Sequence, residues 1–325
     1  MYGCKKLSVS KVILQAAENY DQPVIDKIVC EIFSQFGDQI NISRGDSVLI
    51  KPNFIAPKPL EIGAATHPSL LIAIAKIVKD IGGKPFVADS PAWSDTYKCL
   101  EVFGYADEFK KLGIAVGHLD QTVRKAVDGQ WVGISKTALD ADKIVNVPKF
   151  KSHQQLGATF AIKNMYGCIP GKEKAIWHFL KGKDYDKFCR MVIDIYKRLA
   201  PVISIIDGIT AMEGKGPLSG TPRQLGAIVA GTDPVACERV CAEVGCFDIE
   251  SLPLFKMAVD SNLGCGDLDR IEVIGDTIDN LRCPDFIHPQ QIPLHFTFSH
   301  ICKSLIKQIV LIAGNLHRRG STPSR

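Results

Sequence analysis

No stretch of this sequence reaches the roughly 18 to 20 uninterrupted apolar residues that a membrane-spanning helix needs. The most apolar late segment, Leu305 to Leu316, is broken by Lys307, Gln308 and Asn315. The opening residues, Met1 to Glu18, carry only the short run Val12-Ile13-Leu14, without the longer apolar core and small-residue cleavage site of a secretory leader. Excess charge is scarce too. A formal net charge of +4 over 325 residues is too little for the basic surface of a nucleic-acid binder. Iron–sulfur spacing is missing, since C-x2-C-x2-C occurs nowhere. The P-loop, H-E-x-x-H and G-x-S-x-G are missing as well. Gly214 to Gly220 (GKGPLSG) has the wrong third spacing, a proline and no helix opening from it, which excludes the dinucleotide fingerprint. These absences leave a cytoplasmic protein as the expectation, without a familiar reaction signature.

The eleven cysteines are odd in number and scattered, which fits reduced thiols rather than a disulfide framework. Cys237, Cys241 and Cys246 form a C-x3-C-x4-C run that invites a metal reading. Pro234 to Val244 nevertheless reads as an amphipathic helix with Cys237 and Cys241 on its apolar face, where a thiol packs as a small hydrophobe.

Apolar runs of strand length alternate with segments of helical period. Strands are expected at Ser47–Lys51, Lys84–Asp89, Ile114–Leu119, Lys143–Val147, Val202–Asp207, Gln224–Ala230 and Arg270–Ile274. Helices are expected over Pro68–Ile81, stopped by Gly82-Gly83, over Thr96–Leu112, over Tyr185–Leu199 and over the cysteine-bearing segment. This alternation predicts an α/β fold with a mainly parallel sheet covered by helices on both faces. Residues 1–275 form the α/β domain on this reading. Residues 276–325 form an irregular connection, a basic amphipathic helix from His295 to Arg319, and a disordered tail after Gly320. That helix either packs on its own domain or docks a partner or membrane surface.

In parallel sheets ligands bind beyond the carboxyl ends of the strands. Polar groups stand at those points here: Lys51-Pro52-Asn53, Asp89-Ser90-Pro91, Asn146-Val-Pro-Lys149, Asp207-Gly208 and Thr232-Asp233-Pro234. Asp233 before Pro234 also reads as a plain helix N-cap. The densest signal is Val147 to His178. Lys149, Lys151 and His153 alternate and so share one side of extended chain. Lys163-Asn164 follows, then Gly167, Pro170 and Gly171, and Lys174 and His178 are neighbours on one helix face. Lysines, histidines and an amide interleaved with glycines suit an anion cradle. The plain alternative is a solvated basic loop, but these lysines are embedded among Val147, Phe150, Leu156, Phe160, Ile162 and Met165. Cys168 inside the cluster is a candidate nucleophile.

Taken together these motifs resemble the family catalogued as domain of unknown function 362. The likeness rests on Lys51-Pro-Asn53, Thr66-His67-Pro68, Gly82-Gly83, Asp89-Ser90-Pro91, Val147-Pro-Lys149, Lys151, His153, Lys163-Asn164, Gly167, Asp207-Gly208 and Gly231-Thr232-Asp233-Pro234, from about residue 8 to 275. The resemblance implies a bacterial or archaeal cytoplasmic protein with no agreed reaction. Many relatives carry a ferredoxin-like segment with paired four-iron clusters. The tail here holds only Cys283 and Cys302, so no 4Fe–4S cluster is expected in this chain.

The leading expectation is an enzyme acting on a small anionic substrate, a phosphate or carboxylate. Lys51, Lys149, Lys151, Lys163 and Lys174 would bind the anion, with Asn53 and Asn164 orienting it. Lys163, His153 and His178 are the catalytic candidates, the imidazoles because they titrate near working pH. Asp89 and Asp207 would hold a divalent cation. The rivals are a redox accessory protein docking to an iron–sulfur partner through residues 295–319, and a non-catalytic binding module.

Overall fold

The computed structural model describes residues 9–92, 94–171, 173–182 and 184–292, with the backbone alone for residue 179. The expected basic helix at 295–319 lies outside the described residues.

Two elements precede the first expected strand: β1 (Ser10–Ala16), built on Val12-Ile13-Leu14, and α1 (Gln22–Ile40). β2 (Ser47–Pro52), α2 (Pro68–Asp80) and β3 (Lys84–Val87) follow where the sequence puts them. α2 starts cleanly because the His67 side chain accepts from Ser69 N at 3.3 Å and Pro68 needs no donor at the first helical position. The single helix expected over 96–112 is two, α3 (Thr96–Phe103) and α4 (Ala106–Lys111). Gly104 sits between them at a φ of 78° and closes α3 with a left-handed cap. β4 (Ala115–Val116) is much shorter than the strand expected at 114–119.

An unexpected hairpin comes next, β5 (Thr122–Val127) and β6 (Gln130–Ser135), followed by α5 (Lys136–Asp140). Its two-residue turn, Asp128-Gly129, has positive φ at both positions, as a primed hairpin turn requires. β7 (Lys143–Val147), β8 (Lys149–His153), β9 (Gly157–Thr159), α6 (Ala161–Asn164), α7 (Glu173–Lys181) and α8 (Tyr185–Leu199) lead into β10 (Ile203–Glu213) and β11 (Thr221–Gly231). The rest is α9 (Pro234–Val244), α10 (Pro253–Asp260), β12 (Ile271–Gly275) and α11 (Ile278–Leu281).

The sheet runs β12-β1-β11-β10-β7-β2-β3-β4. Its pairings are parallel except those of β11, which is antiparallel to both β1 and β10, and of β9 with β8. Both faces are covered. One apolar layer joins Val48, Ile50 and Val145 to α1 and α2 residues such as Ile25, Ile32, Leu70 and Ile74. The other joins Leu49, Ile144 and Phe150 to α8 and α9 residues such as Met191, Val192 and Val240. Alternate residues of β2 thus feed opposite layers, as a pleated strand buried on both faces must. Cys237 and Cys241 are fully buried in the second layer, as expected of packing thiols. The nine described cysteines are all free, and no helix among the described residues is long and apolar enough to cross a membrane.

Strand order reverses between β7 and β2, because β3 and β4 extend the sheet on one side of β2 and β7 lies on the other. Such a reversal splays the following chain segments apart and opens a crevice at the carboxyl ends. Directly after β7, Pro148 redirects the chain. β8 then meets β10 only at Lys149↔Asp207 and Lys151↔Met212, with a register shift between them.

Asp233 is indeed the cap of α9. It accepts from Val235 N and Ala236 N at 3.0 Å each, and it also holds Ser10 Oγ at 2.6 Å and Cys265 N at 2.8 Å. One lost cap costs about 1 kcal/mol. Asp233→Ala should therefore cost more, about 2 kcal/mol or above by urea denaturation, because it also unties β1 and the 265 loop. A loss below about 0.5 kcal/mol would show those bonds to be idle.

Candidate active site

The five lysines expected at the site converge. Lys51, Lys149, Lys151, Lys163 and Lys174 all line one cavity of about 640 Å³, together with Asn53, Asn164, Asp89, His153 and His178. Each arrives by a different local route. Lys51 ends β2 and Asp89 follows β3, so two neighbouring parallel strands deliver them to the same rim. Lys149, Lys151 and His153 point into the cavity from alternate positions of β8. Phe150, between them, turns to the core against Phe160, Phe247 and Phe286. Lys163 and Asn164 end the short helix α6, and Lys174 and His178 lie one turn apart on α7.

The lysines differ sharply in how their charge is met. Lys51 is fully buried and donates to Asp89 Oδ1 at 2.6 Å and Pro52 O at 2.7 Å. Lys149, 2% exposed, donates to Asp207 Oδ2 at 2.8 Å and to the Tyr20 hydroxyl at 2.9 Å. Burial pulls the Lys149 ammonium down, and Asp207 opposes the shift. Lys151, also 2% exposed, has only neutral acceptors, Asn53 Oδ1 at 2.6 Å and Ala64 O at 2.9 Å. Burial, with Lys163 and Lys149 nearby, pushes it well below the ordinary lysine range. Lys163 has no carboxylate or hydrogen-bond acceptor among the described residues; its Nζ lies over the Tyr166 ring, 5.8 Å from the centroid. Burial, then Lys174, bring it down to about 8. Lys174 donates to Ser90 O and is likewise lowered by burial to about 8, with Asp89 pulling the other way.

An amide chain fixes these groups. Asn53 Nδ2 donates to Asn164 Oδ1 at 2.8 Å, and Asn164 Nδ2 donates to Asn146 Oδ1 at 2.8 Å and Lys51 O at 3.1 Å. Asn146 in turn donates to Ala161 O at 2.9 Å and Ser204 Oγ at 3.0 Å. Asn53 and Asn164, both in the cavity lining, thus also hold lysines and strand ends in place. Gly167 is required for this packing, since a Cβ there would stand 2.8 Å from Lys51 Nζ. Gly216 is equally constrained, at 2.0 Å from Ser152 O.

Two expectations need correction. His153 and His178 do not titrate near neutrality. Burial, then Lys163, drive His178 to about 3, and the same causes push His153 well below the usual imidazole range. Both rings are therefore neutral; His153 Nδ1 accepts from Gln155 N at 3.2 Å. The carboxylates Asp89 and Asp207 are not cation ligands in this arrangement. Each is taken by an ammonium, and each also accepts a backbone N–H, from Phe54 and His67 respectively. Burial would raise Asp89, but Lys51 and Lys174 outweigh it and hold the carboxyl below its usual range. Among the described residues no group of three His, Cys, Asp or Glu side chains could hold a metal ion. Cys168, the candidate nucleophile, is fully buried outside the cavity lining, and burial raises its thiol to about 11.

Several participants were not legible as such. Tyr20 donates to Asp207 Oδ1 at 2.8 Å and stacks on His67 at 3.8 Å, although it lies far away in sequence. Glu238 on α9 is buried beneath α6, accepts Ile162 N at 2.9 Å, and is raised by burial to about 7. The hairpin secures α7 through Glu173, which accepts Gly133 N at 2.8 Å and Arg124 Nη1 at 2.6 Å. Thr159 lines the cavity at 7% exposure, and its hydroxyl has no partner among the described residues.

The thylakoid-associated protein sll1697 of Synechocystis sp. is 32% identical over 315 residues, covering 93% of this chain and 95% of that protein. The structure of the lactate racemase apoprotein from Thermoanaerobacterium thermosaccharolyticum aligns with a TM-score of 0.45 at 16% identity. It covers 70% of this chain, which spans 56% of the racemase. The model named Domain of unknown function (DUF362) matches residues 48–243, the stretch that carries β2, the lysine-bearing segments and α9. With that match and the likeness of nearly its whole length to sll1697, the chain belongs to the DUF362 family.

Proposed function

We propose that this chain is an enzyme acting on a small anionic substrate, a phosphate or carboxylate compound, in the lysine-lined cavity. One observation carries the reading: five lysines face one hollow, while Asp89 is the sole carboxylate in its lining among the described residues. Desolvated ammonium groups without counter-ions are costly. Burial among like charges lowers that cost by drawing Lys151, Lys163 and Lys174 toward the neutral amine, and an anion lowers it by supplying the missing charge. The unpartnered Thr159 hydroxyl adds a donor for such a ligand. Ile55, Phe160, Ile176 and Ile292 give the cavity apolar walls. The same reading keeps the chain in the cytoplasm and gives it no nucleic acid to bind. The redox-accessory alternative depends on residues 295–319, outside those described, and no described residue favours it.

A thermal-shift screen of phosphorylated and carboxylated metabolites should find stabilisation by at least one compound and none by its uncharged analogue. No stabilisation across the panel would remove the reading.

Binding should also be linked to protons. Burial lowers Lys163 and Lys174 to about 8, and a bound anion favours their charged forms and so raises both values. Affinity is then full below pH 8 and falls as pH rises through it, with net proton uptake on binding in that window. Calorimetry in two buffers of different ionisation enthalpy reads this directly, and pH-independent affinity between 7 and 9 would contradict it.

Substitutions should separate two kinds of lysine. Lys51→Met strands Asp89 as an uncompensated buried charge and should cost about 3 to 5 kcal/mol of folding stability. Lys151→Met removes a buried amine that has no carboxylate partner. It should cost clearly less stability and weaken anion binding about tenfold or more, by denaturation and calorimetry.

A further inference from the structure

The five lysines are not equivalent as chemistry. Lys51 and Lys149 are pinned as ammonium groups by Asp89 and Asp207. Lys151 spends its hydrogens on Asn53 and Ala64, and Lys174 on the Ser90 carbonyl. Lys163 alone among them reaches the cavity with no acceptor among the described residues. It lies against the Tyr166 ring, and its field is the principal charge felt by both His153 and His178.

We propose that Lys163 is a nucleophile that condenses with the carbonyl carbon of an anionic oxo compound to form an imine. This deepens the anion-site reading and rests on it: the ammonium groups hold the substrate's anionic end, and the free amine meets its carbonyl. The Lys163 nitrogen lone pair attacks the carbonyl carbon while the carbonyl oxygen takes up a proton, giving a carbinolamine. The carbon–oxygen bond then breaks, the oxygen leaves as water, and the nitrogen gives up its proton or keeps it as an iminium. Nothing is oxidised or reduced, and no co-reactant is needed. The groups for the step are present. A lysine amine becomes nucleophilic when it is desolvated among other cations, and Lys163 is so placed, lowered to about 8 by burial and by Lys174. His153 and His178 beside it stay neutral, so they add no further positive charge around the amine. Thr159, buried and unpartnered, faces the same space as a hydrogen-bond donor for the departing oxygen.

The test is reductive trapping on the full chain. The protein is incubated with pyruvate in one arm and glycolaldehyde phosphate in the other, each with sodium borohydride, and the adduct is located by peptide mass mapping. One adduct per chain at Lys163 is expected, with either probe or with both. Pyruvate alone identifies a 2-oxo carboxylate class, and glycolaldehyde phosphate alone a phosphorylated aldehyde class. At subsaturating probe the trapping rate should rise as pH approaches about 8, where Lys163 loses its proton, and decline at higher pH as the anion's affinity falls. Lys163→Arg keeps the charge and should abolish trapping, while lactate or inorganic phosphate still stabilises the variant in thermal shift. Trapping spread over surface lysines, trapping retained in Lys163→Arg, or none with either probe would overturn the proposal. If the non-carbonyl anions stabilise the wild type in those cases, the anion-site reading survives without it. Should Lys163→Arg not fold, the wild-type peptide map and pH profile decide alone.

Discussion

An ammonium group taken out of water must meet an opposite charge, find carbonyl acceptors, or give up its proton. All three answers occur within a few side chains here. Lys51 and Lys149 meet aspartates, Lys151 finds an amide and a backbone carbonyl, and both Lys151 and Lys163 shift toward the neutral amine. The architecture around the cavity follows from this constraint. β2 and β3 end side by side because Lys51 and Asp89 must touch, and β8 leaves the sheet in register with Asp207 because Lys149 must reach it. A buried pair of this kind adds little net stability compared with apolar packing, yet losing one partner is severe. The pairs thus act mainly to fix geometry.

The division of labour among the lysines separates scaffold from chemistry without separating them in space. The paired lysines and the Asn53–Asn164–Asn146 chain form a floor whose hydrogen bonds are largely met within the protein. Lys163, Lys174 and Thr159 stand on that floor with capacity left over. Rigid support beneath a few underused groups is the arrangement a binding or reacting centre needs, because the groups that act must not also hold the fold together.

Much of this was written in local sequence. The alternation Lys149-x-Lys151-x-His153 survives as a strand with all three side chains on the cavity side, and the four-residue step from Lys174 to His178 survives as one helix face. Strand ends were legible because polar residues stop apolar runs. Other features depend on partners that no local window contains. Tyr20 reaches Asp207 across 187 positions, and whether Asp89 binds a cation or an ammonium depends on Lys51 in another strand. The histidines look like proton shuttles in sequence, but their titration is set by burial beside lysines, which composition does not report. Gly104 was a legible helix stop that the apolar period of its flanks masked, and Asp128-Gly129 was a legible turn between runs too polar to read as strands.

Ile292 lines the cavity, donates its N–H to Gln154 O at 2.8 Å and accepts from the Tyr185 hydroxyl at 3.2 Å. Ile292 is therefore held through both of its backbone polar groups against the cavity it lines. A change that loosened either bond would be felt in the apolar wall that Ile292 gives the cavity.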